Sequence, residues 1–155
     1  MKYDNQYLKN CVNYCKLMVN ELKMVLDTAY LLSLAIVFGG MVTFQVLFAP
    51  LIFIKLEEAV ARPFIRAFFP YYYLYFALLS AVLCALTYFL GFIAEHIICA
   101  IVLVGFLVSR QILMPLANKA TDTKQFKKFM AYHMATVAIN TLQLFLVLYL
   151  LFRLD

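Results

Sequence analysis

Three long stretches of the chain contain no Asp, Glu, Lys or Arg, and shorter polar stretches separate them. The charge-free stretches cover residues 28–54, 67–94 and 129–152. A helix needs roughly 20 apolar residues to cross about 30 Å of hydrocarbon, and each stretch exceeds that length. The pattern therefore predicts three transmembrane helices.

A fourth span is predicted between the second and third stretches. Residues 96–109 are apolar but too short to cross a bilayer by themselves. The helix reaches spanning length when Arg110 is accepted within it, since a long basic side chain can extend towards the interface. Pro115 then provides a natural stop. The four predicted spans cover about residues 25–50, 68–92, 95–114 and 130–152.

The predicted fold class is all-α. The apolar stretches are continuous, which favours helices over the alternating strands of a membrane barrel. Composition agrees, because 66% of the residues are hydrophobic, 14% are charged and the mean hydropathy is +0.91. We expect a polytopic four-helix transmembrane bundle, residues 25–155, preceded by an amphipathic N-terminal helix, residues 1–24. The lipid bilayer is its first predicted partner.

The N-terminal segment carries two helical stripes. Lysines recur every seven residues, and apolar residues recur at spacings of three and four: Lys2, Lys9, Lys16 and Lys23, against Tyr3, Tyr7, Cys11, Tyr14, Met18 and Leu22. Such a segment can lie on an anionic lipid surface before the chain turns into the membrane. It equally fits a solvated helix that packs on a loop or a partner subunit, including a second copy in a homo-oligomer.

Basic residues give a prediction for membrane orientation. The loops after spans one and three carry eight of them: Lys55, Arg62, Arg66, Arg110, Lys119, Lys124, Lys127 and Lys128. Because basic flanks stay on the cytoplasmic side, both termini are expected on the non-cytoplasmic side. The net charge of +5 is then explained by orientation, and no nucleic acid partner is predicted.

Polar residues inside the spans are the best pointers to a site, because each is costly in lipid unless it faces protein or water. His133, Thr136, Asn140 and Gln143 share one face of the last span. We predict that this row lines an intramembrane polar pocket with Gln45, Arg110 and Asn118. The row fits either a cavity in which histidine changes charge near neutral pH, or hydrogen bonds that hold the helices together.

Arg110 is expected to find a partner inside the protein or at its rim, since a charge at mid-bilayer costs at least about 2.5 kcal/mol. The expected partners are Asn118, Gln45 and the carbonyls that Pro115 or Pro50 frees.

A metal site has one sequence candidate. Met130, His133 and Met134 lie at helical spacing and contain soft ligands suited to Cu(I) or to the axial positions of haem. Methionines are also ordinary packing residues in apolar bundles. No cofactor is therefore predicted, with haem and copper kept as alternatives.

Several motifs occur in a fixed order along all four spans. They are Gly39-Gly40, Phe44, Ala49-Pro50 and Phe53, then Phe69-Pro70-Tyr71-Tyr72, then Ser109-Arg110 with Pro115, and finally Phe129, His133, Asn140 and Gln143. Over about residues 28–150 the chain resembles the transmembrane protein 205-like family. The resemblance implies a four-helix membrane domain of unassigned activity and says nothing of the first 24 residues.

Two classes of function follow from these observations. The chain has no glycine-rich phosphate loop, GxSxG elbow or HExxH motif, which argues against an ordinary hydrolase or nucleotide enzyme. We favour a component that transports a small solute, ion or metal, or an accessory membrane subunit, over an enzyme. The alternative is a haem- or quinone-linked membrane oxidoreductase.

Overall fold

The computed structural model describes residues 5–153, and throughout that range the regular structure is helical. The elements in chain order are α1 (Asn5–Thr43), a π-helical turn (Phe44–Phe48), α2 (Ala49–Lys55), α3 (Glu58–Leu90), α4 (Ile93–Val108), a second π-helical turn (Ser109–Leu113), α5 (Met114–Asp122) and α6 (Phe126–Phe152).

These elements form four spans. Span one is Tyr7–Ile52, span two Glu58–Leu90, span three Ile93–Asp122 and span four Phe126–Phe152, and each is long and apolar enough to cross a membrane. Spans one and three each pack against spans two and four, so the helices form a closed ring. The prediction of an all-α four-helix membrane bundle is confirmed.

Side-chain contacts fix which loops share an end of the bundle. Arg66 forms an ion pair with Asp122, and it also donates to the backbone oxygen of Asn118 at 3.2 Å. These contacts bring the first and third interhelical loops together at one end, called the loop end below. At the opposite end Arg153 lies 3.5 Å from Glu95. We call this second end the terminal end.

The N-terminal segment differs from its expected form. α1 runs without a break from Asn5 to Thr43, so the chain does not turn between the segment and the first span. Residues 7–25 are all exposed. The region holds no Gly or Pro that would end a helix. Lys2 and Tyr3, the first members of the two stripes, lie outside the described residues.

The terminal half of the bundle is closely packed. Leu34, Val37, Leu83, Val102 and Val147 are almost wholly buried there. Two buried hydroxyls are satisfied within their own helix: Ser80 donates to the Phe76 oxygen at 2.7 Å, and Thr87 to the Leu83 oxygen at 2.8 Å. These two hydroxyls are therefore buried without needing a partner on another helix.

Spans two and three are joined by a short turn at Gly91. Gly91 has a φ of 75°, and the amide of Phe92 donates to the Thr87 oxygen at 2.9 Å. This left-handed cap satisfies the last carbonyls of α3 and reverses the chain at once. Spans two and three consequently pack on each other through α4 and the second π-helical turn, whereas α5 packs mainly on α6.

Two π-helical turns lie near mid-bundle, and each ends just before a proline. The amide of Ala49 donates to the Phe44 oxygen, and the amide of Met114 donates to the Ser109 oxygen. Pro50 and Pro115 follow directly. A proline cannot donate to the carbonyl four residues back, and a π-helical turn redistributes the bonds around that gap.

Gln143 ties spans three and four together. Its Nε2 atom donates to the Val102 oxygen at 2.7 Å. Gly105 makes room for this contact, since a Cβ atom placed there would lie 2.7 Å from Nε2. For Gln143, the last residue of the polar row, the structure therefore agrees with the interpretation that the row forms hydrogen bonds between helices.

We predict that Gly105→Ala lowers the free energy of unfolding in detergent by about 1 kcal/mol. Overpacking costs about 1–3 kcal/mol, and the better helix preference of alanine recovers only about 0.5–1 kcal/mol. Gly39→Ala is the matched control, because a Cβ atom there meets nothing within 4 Å. That control should gain stability. Equal effects of the two substitutions in SDS titrations would contradict the close contact at Gly105.

Candidate functional site: a one-sided intramembrane cavity

A cavity of about 940 Å³ lies between the four spans in the loop half of the bundle. On α6 its wall runs from Phe126 to Asn140, which is about 21 Å at a rise of 1.5 Å per residue. Its deep end is formed by residues from all three remaining walls, among them Phe44, Tyr73 and Met114. The cavity therefore reaches from the loop end to about the middle of the bundle.

Apolar side chains make up most of the wall between the two ends. They come from every span: Ala49, Leu56, Ala61, Ile65, Phe69, Met114, Ala117, Ala120, Phe129, Met130 and Val137. Such a surface solvates an apolar molecule well and a bare ion poorly.

A plug closes the cavity towards the terminal end. We define the plug as Met41, Phe76, Phe106 and Gln143, all of which are buried. The rings of Phe76 and Phe106 are stacked with their centroids 5.4 Å apart. The bond from Gln143 to span three lies at the same level. The plug thus separates the cavity from the terminal half of the bundle.

Two polar atoms at the deep end lack a partner in the protein. Gln45 Nε2 and Asn140 Oδ1 are buried and form no hydrogen bond with any described residue. The Asn140 side chain is 8% exposed. An unpaired buried donor or acceptor costs about 1–3 kcal/mol. The two atoms therefore offer one donor and one acceptor to a molecule in the cavity.

The mouth of the cavity is charged and mainly basic. Arg62 is paired with Glu58 on the same helix, and Arg66 is paired with Asp122 across two helices. Lys124 also lines the mouth and forms no ion pair within residues 5–153. Its backbone has a φ of 54°, an uncommon conformation for a residue with a side chain.

His133 and Thr136 lie between mouth and deep end. The His133 ring is stacked on Phe129 with centroids 5.8 Å apart. Thr136 donates its hydroxyl hydrogen to the Tyr132 oxygen at 2.9 Å, so its polar requirement is met within α6. His133 and Thr136 thus form part of the cavity wall on α6.

The structure brings most of the predicted pocket residues together. Gln45, Asn118, His133, Thr136 and Asn140 line the cavity. The two remaining candidates do not line the cavity: Gln143 belongs to the plug, and Arg110 lies beside Pro70 on span two.

Arg110 has a partner other than those expected. Its Nε atom donates to the Pro70 oxygen on span two at 3.2 Å. The expectation that Asn118, Gln45 or a carbonyl freed by Pro115 or Pro50 would serve was wrong. Arg110 lies within the second π-helical turn, and a wider turn changes the direction of a side chain from that of ideal helical spacing.

The methionine candidates do not form one group. Met130 lines the cavity with His133, whereas Met134 is 54% exposed and is not part of the wall. Within the described part of the chain, no three His, Cys, Asp or Glu side chains lie close enough to hold a metal ion together.

Sequence reasoning missed the contribution of span two. Glu58, Arg62, Arg66, Phe69 and Tyr73 all line the cavity. Their spacing of four, four, three and four residues places them on one helical face. That spacing was available in the sequence, but the charged members lie outside the apolar stretch and Tyr73 fits a packing seam equally well.

The fold and cavity define a class: a four-span helical membrane protein with a one-sided intramembrane cavity. The chain belongs to a family described as "Domain of unknown function (DUF4149)", whose model matches residues 32–126. Comparisons with curated proteins and with solved structures give no match. His133, Thr136 and Asn140 lie beyond the matched residues.

We predict that Gln45→Met raises the free energy of unfolding in detergent by about 1 kcal/mol, because it removes an unpaired buried donor and keeps the side-chain volume. Gln143→Met is the matched control. It removes the unpaired Oε1 atom but also gives up the bond to the Val102 oxygen, so the two effects oppose each other and a smaller gain is expected from it. A loss of stability in Gln45→Met would show that Nε2 is already satisfied.

Proposed function

We propose that this protein holds a small solute in its one-sided cavity, as a transport component or as an accessory membrane subunit. One observation carries the proposal: a cavity of about 940 Å³ ends at two buried polar atoms that have no protein partner. Ligand sites commonly combine apolar walls with a few polar groups of this kind. Within residues 5–153, four other buried polar atoms without a partner lie outside the cavity wall, so the two atoms support the proposal through their place at its deep end.

The position of the π-helical turns supports a moving rather than a rigid site. Both turns lie at the inner end of the cavity, and both precede a proline. π-Helical turns and prolines are places where helices bend. Transport would require the plug to separate, and bending at Phe44–Phe48 and Ser109–Leu113 is the motion that the chain offers for it.

We further propose that the cavity opens towards the cytoplasm. Seven basic residues belong to the loop end: Lys55, Arg62, Arg66, Lys119, Lys124, Lys127 and Lys128. Basic residues in short loops stay on the cytoplasmic side. This orientation puts both termini on the opposite side.

A closer relationship to the transmembrane protein 205-like family is part of the same proposal. Three of the motifs that carry the resemblance lie at well-defined positions in the bundle. Gly40 packs closely on Phe76, Ala49-Pro50 follows the first π-helical turn, and Asn140 ends the cavity.

The cavity predicts one-sided access to water-soluble reagents. In a variant whose four cysteines are replaced, we expect Val137→Cys to react with a membrane-impermeant thiol reagent from the loop side of oriented vesicles. Val147→Cys, on the same helix but behind the plug, should remain unreacted from that side. Mass spectrometry of both variants gives the extent of reaction.

The same variants separate the two forms of the proposal. Reaction of Val137→Cys from the terminal side as well would show that the plug opens, as transport requires. Reaction from the loop side only favours the accessory subunit. A Val137→Cys variant that reacts from neither side would exclude a solvent-connected cavity and with it the proposed function.

The N-terminal lysines carry a second, independent proposal, which is that they attract anionic lipid. On a straight α1, Lys16 and Lys9 lie about 10 and 21 Å beyond Lys23 along the helix axis. The Debye length is about 8 Å at physiological ionic strength. Lys23 is therefore attracted most strongly by an anionic leaflet. Lys9 and Lys16 add to the attraction when the helix tilts towards the membrane surface.

We predict that phosphatidylserine draws this segment towards the bilayer at low salt. A spin label on Cys15 in the Cys11→Ser background should lose accessibility to a polar relaxation agent as the phosphatidylserine content of nanodiscs rises. Replacing Lys9, Lys16 and Lys23 with Gln should abolish the change. The same replacement at Lys127 and Lys128 is the control and should not. An accessibility that ignores lipid charge would count against the proposal.

A further inference from the structure

We propose that the ligand is an elongated amphiphile with an anionic group at one end and a neutral hydroxyl-like group at the other. An ω-hydroxy fatty acid is the simplest molecule of this class. The inference rests on the proposed function and adds to it the chemistry of the ligand. Three regions of the cavity carry it: the apolar wall, the basic mouth and the polar deep end.

The middle of the cavity selects an apolar body. Most side chains along the wall, such as Ala61, Ile65 and Val137, offer no hydrogen-bonding group, and the His133 ring is a polar exception between the mouth and the deep end. A hydrated ion would lose its water here and receive little in return. The cavity is also long, about 21 Å by helix rise, against about 15 Å for the hydrocarbon of one leaflet. A single extended chain matches this length.

The mouth selects a negative group. Three cationic side chains line it, and Glu58 is the only acidic residue among the lining residues. Arg62 and Arg66 already have carboxylate partners, whereas Lys124 has none within residues 5–153. Walls of low dielectric constant focus the field of these charges. A carboxylate at the mouth would also remain near the membrane surface, where it stays hydrated.

The deep end selects a second polar group on the ligand. The methyl end of a plain fatty acid would leave Gln45 Nε2 and Asn140 Oδ1 unpaired. A hydroxyl group both accepts and donates a hydrogen bond, so it suits the donor of Gln45 and the acceptor of Asn140. Buried sites built for a hydroxyl discriminate strongly against ligands that lack it.

The experiment compares three probes of equal chain length: an ω-hydroxy fatty acid, the plain fatty acid and the α,ω-diol. The chain contains no Trp, so Phe129→Trp gives a single fluorescent reporter in the cavity wall. Affinities are measured by its emission in nanodiscs of neutral lipid. Ala117→Phe in the same background narrows the cavity, and any signal that survives in it reflects partition into the bilayer.

The expected result has two parts. The hydroxy acid should bind about tenfold more tightly than the fatty acid, and Gln45→Met should remove this preference. The hydroxy acid should also bind several-fold more tightly than the diol, and Lys124→Gln should reduce that difference while leaving the first one in place. Asn140→Leu provides a second test of the deep end should Gln45→Met fold poorly.

The outcomes separate this inference from the proposed function. Equal affinities for the hydroxy acid and the fatty acid would overturn the inference, because water would then satisfy the polar atoms at the deep end. In that case a reactive Val137→Cys would still support the cavity as a site. Binding of the diol as tight as that of the hydroxy acid would remove the anionic requirement. Failure of all three probes, with Val137→Cys unreactive, would remove both.

Discussion

The bundle depends on a constraint that lipid imposes on the backbone: each amide and carbonyl must find its partner within the protein. Pro50 and Pro115 each remove one donor from a span. In both spans a π-helical turn just before the proline redistributes the backbone hydrogen bonds around the missing donor. Because the two spans lie on opposite sides of the ring, these turns set the level at which close packing ends and the cavity begins.

The two halves of the molecule follow from that level. In the terminal half the helices are regular, their inner faces carry small or aliphatic side chains, and buried hydroxyls bond to their own helix. In the loop half the wider turns and prolines separate the helices. The Arg66–Asp122 pair then joins spans two and three across the mouth. Both of its side chains are well exposed, so it contributes little stability and can rearrange.

The sequence predicted the number and type of spans because charge-free length is a nearly sufficient signal for a transmembrane helix. It could not place the π-helical turns, since any residue type can occupy them. That is why ideal spacing gave the wrong partners for Arg110. One of its two interpretations of the N-terminal segment placed a turn before the first span, but the sequence there contains no Gly or Pro and α1 continues. The hydropathy pattern marks the part of a helix that lies in lipid, and the helix itself can continue beyond that part.

The polar row on span four shows why spacing alone could not choose between a site and structural hydrogen bonds. His133, Asn140 and Gln143 share a face, but Gln143 belongs to the plug whereas Asn140 lines the cavity. Gln143 donates to span three and fills the space that Gly105 leaves. Asn140, less than one helical turn away, lines the cavity with an unpaired oxygen. Each interpretation therefore applies to a different part of the row: Gln143 bonds to another helix, and Asn140 lines the cavity. At the level of Phe76 and Phe106 the Gln143 amide bonds to another helix, whereas on the open side the Asn140 oxygen is available to a ligand.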